Sequence, residues 1–138
     1  MSESKKTEKK ISAVKQTVLI AEDDRFLSKI LTDKLLRRGF EVITAADGIE
    51  AVSKAKSNKF DIMLLDLIMP NKDGFQVLSD LRGDPLYQKV PIIILSNLGQ
   101  EKDITEGKRL GATDYLVKSN LSIEEVVTKV KAVLSKVK

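Results

Sequence analysis

Several side chains able to do chemistry stand where apolar runs of this chain stop. "TVLIA" (17–21) leads into Glu22, Asp23 and Asp24; "DIMLLD" (61–66) closes on Asp66; "PIIILS" (91–96) closes on Ser96; "DYLVK" (114–118) closes on Lys118. Taken singly, each has an ordinary structural explanation: an acid after a strand can cap a helix, a serine can close a turn, and a lysine can face water. Taken together, they are a chemical set. Carboxylates brought close repel, and either one of them keeps a proton or the group recruits a cation. A hard divalent ion with oxygen ligands answers that repulsion, and Mg²⁺ suits it because it accepts one or two carboxylates and keeps waters that phosphate oxygens can replace. With such an ion present, Asp66 could attack phosphorus while Lys118 and Ser96 meet the charge on the transferring oxygens.

This chemistry requires an architecture that gathers strand ends. The four runs above, with "FEVITA" (40–45), alternate with segments of helical period, and all but "FEVITA" are nearly continuous in apolar residues. Continuous apolar strands indicate a sheet covered on both faces, as parallel sheets are. Leu27, Ile30, Leu31 and Leu35 recur at helical spacing before the stop at Gly39, and further helical segments are read over 49–58, 74–83 and 100–110. In the last helix Ser122 is the expected N-cap, with Ile123, Val126, Val130, Val133 and Val137 as its apolar stripe. Five strands alternating with five helices predict a doubly wound α/β fold, whose ligands bind at the carboxyl ends of the strands.

Composition narrows the alternatives. The chain has 138 residues, enough for one ordinary domain, and contains no Cys and no His. Thiolate and imidazole metal sites and His-based triads are thereby excluded. No apolar run approaches the roughly 20 residues of a membrane span and the start has no secretory signal, so a cytoplasmic protein is expected. The formal charge is +4, yet residues 16–128 carry 15 basic and 18 acidic side chains, so the basic character lies in the ends. Residues 1–15 are read as a flexible, lysine-rich extension and 16–138 as the domain proper. The chain has no Trp and no arginine-rich cluster, so direct nucleic-acid binding is not expected.

"VLIAEDD", "MLLDLIMPNKDG", "PIIILSN" and "GATDYLVKS" together resemble the motif blocks of the receiver domain of response regulators, the phospho-accepting half of two-component signalling. The resemblance covers about residues 16–137. It implies a flavodoxin-like sheet in the order 2-1-3-4-5 and a signalling switch in place of a true enzyme. Asp66 would be the phosphorylated aspartate. Mg²⁺ would be held by Asp23, Asp66 and the carbonyl of Ile68, with Glu22 acting through water. Asp24 would cap the first helix. Ser96 would bond the phosphoryl group, Lys118 would pair with it, and Tyr115 would follow Ser96, moving into a gap that phosphorylation opens and altering the surface of the fourth helix, fifth strand and fifth helix. The implied partners are a sensor histidine kinase or histidine phosphotransfer protein, a downstream protein and, when phosphorylated, a second copy. No output domain is expected after the last helix.

The chain departs from the family pattern in places. Asn97 replaces a small residue, which is expected to hinder small phosphodonors. Ser119 replaces a proline that follows a cis bond, so either a trans bond with an adjusted loop or local strain is expected. Ile68 and Leu98 are apolar beside the acceptor and are expected to shield an acyl phosphate from water. Rival readings are a Mg²⁺-dependent phosphatase with an aspartate nucleophile, which would want a second acid where Ile68 stands; a nucleotide or flavin binder, for which no glycine-rich phosphate loop is present; and a receiver-like interaction module that is never phosphorylated.

Overall fold

The computed structural model describes residues 14–137. All but the last two residues of the lysine-rich extension expected over 1–15 lie outside the described residues. The elements are β1 (Thr17–Ala21), α1 (Arg25–Arg37), β2 (Glu41–Ala45), α2 (Gly48–Ser57), β3 (Ile62–Leu65), α3 (Gly74–Arg82), β4 (Ile92–Ser96), α4 (Glu101–Arg109), β5 (Asp114–Val117) and α5 (Ile123–Lys136). All strand pairs are parallel and the order is β2-β1-β3-β4-β5. The expected doubly wound, flavodoxin-like architecture is therefore observed.

Side-chain alternation along the strands builds two apolar layers. Val18, Ile20, Ile62, Leu64, Ile93 and Leu95 point to one face and pack with Leu31 and Leu35 of α1 and Val126, Val127, Val130 and Leu134 of α5. Leu19, Met63, Leu65, Ile92 and Ile94 point to the other and meet Ala51 and Ala55 of α2 and Val77, Leu78 and Leu81 of α3. Because both faces are covered, strand positions of either parity must be apolar, which is why the runs read as continuous.

Two expectations change in detail. The buried stripe of α5 is Val126, Val127, Val130 and Leu134, whereas Val137 lies beyond the helix and is exposed. The expected set steps by about 3.5 residues, and a helix of 3.6 residues per turn rotates such a set by ~20° per heptad, so its last member leaves the core. After β5, the described residues contain no cis peptide bond, and Lys118–Asn120 form a 3₁₀ turn. The trans bond with an adjusted loop is thus the outcome at Ser119.

Candidate functional site

The buried polar or charged side chains among the described residues are Glu22, Asp66 and Ser96. They follow or end β1, β3 and β4, the adjacent central strands, so the parallel register brings all three to one rim. Lys118 reaches the same rim from the end of β5. Its Nζ lies 2.6 Å from Glu22 Oε1 and 3.4 Å from Asp66 Oδ2. Asp23 is exposed at the mouth, and Glu22, Asp23 and Asp66 each offer a carboxylate oxygen within 4.8 Å of the others. The sequence-predicted acids and the lysine therefore converge.

Backbone groups orient these carboxylates. The Asp24 N–H donates to Glu22 Oε2 (3.1 Å), and the Leu67 N–H donates to Asp66 Oδ1 (2.8 Å). Asp24 itself turns away: its Oδ1 accepts from the N–H groups of Phe26 and Leu27, making it the N-cap of α1, as expected. Burial pushes the Glu22 carboxyl up to about 7, against the lowering influence of Lys118 and the Asp24 N–H, and the neighbouring Asp66 adds to the rise. For Lys118, burial works against the charged form, but the bond to Glu22 and the charge of Asp66 prevail and its pKa is raised. The lysine stays protonated between two acids.

Gly74, the first residue of α3, sets the distance between that helix and the Asp66 backbone. A Cβ at this position would stand 2.2 Å from the Asp66 carbonyl oxygen and 2.7 Å from Leu67 Cα, so only glycine admits this approach. The Gly74 N–H closes the loop by donating to the Leu67 carbonyl (2.9 Å).

Beyond β4, Ser96 Oγ accepts from the Leu98 N–H (3.2 Å), and the Tyr115 hydroxyl donates to the Leu98 carbonyl. Leu98 is thus gripped on both sides, at its N–H by Ser96 and at its carbonyl by Tyr115. Tyr115 is already turned in, buried beside Ile94, and burial, with Asp103 and Asp66 nearby, raises its phenol pKa. Asn97 is exposed, Leu98 is half-buried, and Ile68 leaves 59% of its surface to solvent at the edge of the site. No periodicity or spacing in the sequence points to the contact between Asn71 and Asp47, and Asp47 before Gly48 is no more than an ordinary helix-start pattern.

The sequence and the fold match those of a known family. Residues 18–131 match the model of the response regulator receiver domain, and the chain belongs to that family. It is a receiver domain of the kind used in phosphorylation-type, two-component signalling. Over 117 residues, 85% of the chain, it is 39% identical to the alkaline phosphatase synthesis transcriptional regulatory protein PhoP of Bacillus subtilis, of which 48% is covered. The receiver domain of the Francisella response regulator 1452 superposes with a TM-score of 0.82 at 32% identity, with 89% of this chain and 99% of that one covered. Chemotaxis protein CheY4 of Vibrio cholerae superposes with a TM-score of 0.80 at 32% identity, covering 86% and 98% of the two chains. The chain spans about half the length of the curated relatives it matches, from 46 to 50%. No helix among the described residues is long and apolar enough to cross a membrane.

Proposed function

We propose that Asp66 accepts a phosphoryl group from the phosphohistidine of a sensor kinase or phosphotransfer protein. An Asp66 carboxylate oxygen bonds to phosphorus as the P–N bond of the donor breaks, and the imidazole leaves with the bonding electrons. Lys118 is already 3.4 Å from the Asp66 carboxylate and can follow the charge onto the phosphoryl oxygens. Ser96 offers its hydroxyl proton, since its oxygen is engaged only as an acceptor toward the Leu98 N–H. The observation that carries this reading is the ammonium of Lys118 shared between two buried carboxylates, with a third acid at the mouth.

The donor set is all oxygen and carries more negative charge than one lysine offsets, which fits Mg²⁺. Asp23, Asp66 and the Ile68 carbonyl would hold the ion, with Glu22 behind them. When bound, it supplies positive charge to the phosphoryl oxygens. The downstream reader is a protein or a second copy of the chain, engaged through α4, β5 and α5, where Tyr115 and Leu98 transmit the state of Ser96.

Incubation with Mg²⁺ and acetyl phosphate, or with a phosphorylated kinase, is expected to add one acid-stable, base-labile phosphoryl group, seen by mass. Asp66→Asn is expected to show none. Equal labelling of that variant would refute the assignment. Failure with the small donor alone, and labelling by the kinase, would implicate Asn97.

A further inference from the structure

The loop from Asp66 to Asp73 meets the loop between β2 and α2 at two points. Asn71 Nδ2 donates to Asp47 Oδ2 at 2.9 Å. Lys72 presses its carbonyl oxygen to within 1.8 Å of where a Cβ on Gly48 would stand, so the loops can meet only because position 48 is glycine. Asn71 has φ +70°, the one non-glycine residue with positive φ among the described residues, a conformation Asn and Asp accept more readily than most. Asp47 divides its carboxylate: Oδ1 accepts from the Glu50 N–H (2.7 Å) and caps α2, and Oδ2 takes the loop. A helix cap anchored by one oxygen thereby becomes a fixed post for the other.

The loop so held is the one that carries Ile68. We propose that the Asn71–Asp47 hydrogen bond is a positioning strut, which holds the β3–α3 loop, and with it the Ile68 carbonyl, where it completes the cation site at Asp23 and Asp66. The strut's role rests on the reading of that site as a Mg²⁺ site. Neither residue touches the ion; both act through the backbone between them and Ile68.

The amide–carboxylate pair can be exchanged without harming its surroundings. Asp47→Asn keeps a good N-cap, because Asn and Asp cap helices about equally. Asn71→Asp keeps a residue that accepts positive φ. Asn71→Asp alone destroys the bond by opposing two carboxylates, whereas Asp47→Asn alone keeps one, because the Asn71 amide can turn its oxygen to accept from the new amide N–H. Made together, they restore a donor facing an acceptor with reversed polarity and unchanged net charge.

The test is calorimetric titration of Mg²⁺ into the unsubstituted chain, Asp47→Asn, Asn71→Asp and the double variant, with amide exchange of residues 67–73 followed in metal-free protein. Asn71→Asp is expected to bind Mg²⁺ about tenfold more weakly, the lower end of what groups behind metal ligands contribute, and Asp47→Asn to stay within about twofold of the unsubstituted chain. Asn71→Asp should also exchange faster in the loop, and the double variant should recover on both measures. Net charge alone would move the single variants in opposite directions, weakening binding in Asp47→Asn and strengthening it in Asn71→Asp. That pattern, unchanged affinity in Asn71→Asp, or no recovery in the double variant overturns the strut and leaves the cation reading standing. Absence of Mg²⁺ uptake by the unsubstituted chain overturns both.

Discussion

With 4% of its surface exposed, Glu22 has lost most of the water that would stabilise its charge and has one ammonium and one amide N–H in exchange. Its pKa of about 7 makes it the group of this site that changes charge near neutrality. Because the folded chain holds that proton more tightly than the unfolded one, unfolding between the ordinary carboxyl value of 4.5 and about 7 releases protons, and raising the pH favours it. The contribution is full below the unfolded value and lost as the pH rises through the folded one. Urea unfolding of the metal-free protein is therefore expected to show stability falling from about pH 5 to about pH 8, by up to a few kcal/mol, relative to Glu22→Gln. Parallel pH profiles for the two proteins would show that Glu22 titrates as an ordinary carboxylate. Asp66, Ser96 and Lys118 were legible because reactive side chains interrupt apolar strands. Asp47 and Asn71 were not, because their contact depends on how two loops cross, and no periodicity or spacing encodes that crossing.

Helix starts carry more of this site than helix faces do. Asp24 caps α1 just after the acids, and Asp73 and Gln76 form a capping box that fixes the start of α3 one residue before Gly74. The close approach of Gly74 to the Asp66 backbone yields a prediction at this scale. Gly74→Ala sets a methyl group against main-chain atoms that cannot swing aside, and is expected to cost about 2–3 kcal/mol in urea unfolding. Gly83→Ala is the control: its φ is −74° and the nearest atom to an added Cβ is 3.3 Å away, so a change within about 1 kcal/mol is expected. Equal costs for the two would mean that α3 can slide away from Asp66. Elements were readable wherever one period ran unbroken, as in the strands and in α1. The register of α5 misled because valines and a leucine occupy neighbouring stripes, and only packing against β3, β4 and α1 decides which one is buried.

Across the whole molecule the two helical layers are unequally anchored. On one face, α5 buries Val126, Val127, Val130 and Leu134, begins in a Ser122–Glu125 capping box, and is tied to α1 by Lys34 and Arg38 pairing with Glu124. On the other, α4 buries only Gly107 outright and its N-cap position, Gln100, makes no side-chain bond. Helices with few buried apolar contacts open locally at low free energy. The weakly held helix also follows directly on Leu98, the residue gripped by Ser96 and Tyr115. A phosphoryl group on Asp66 that engages the Ser96 hydroxyl would anchor this chain of bonds at its far end and steady the entry to α4. Amide exchange is therefore expected to be fastest in α4 among the five helices of the unphosphorylated protein, and to slow there on treatment with Mg²⁺ and acetyl phosphate while α1 and α2 change little. Exchange in α4 as slow as in α5 would contradict the unequal anchoring. Slowing spread evenly over all helices would mean that phosphorylation stabilises the fold as a whole, without a directed path through Leu98.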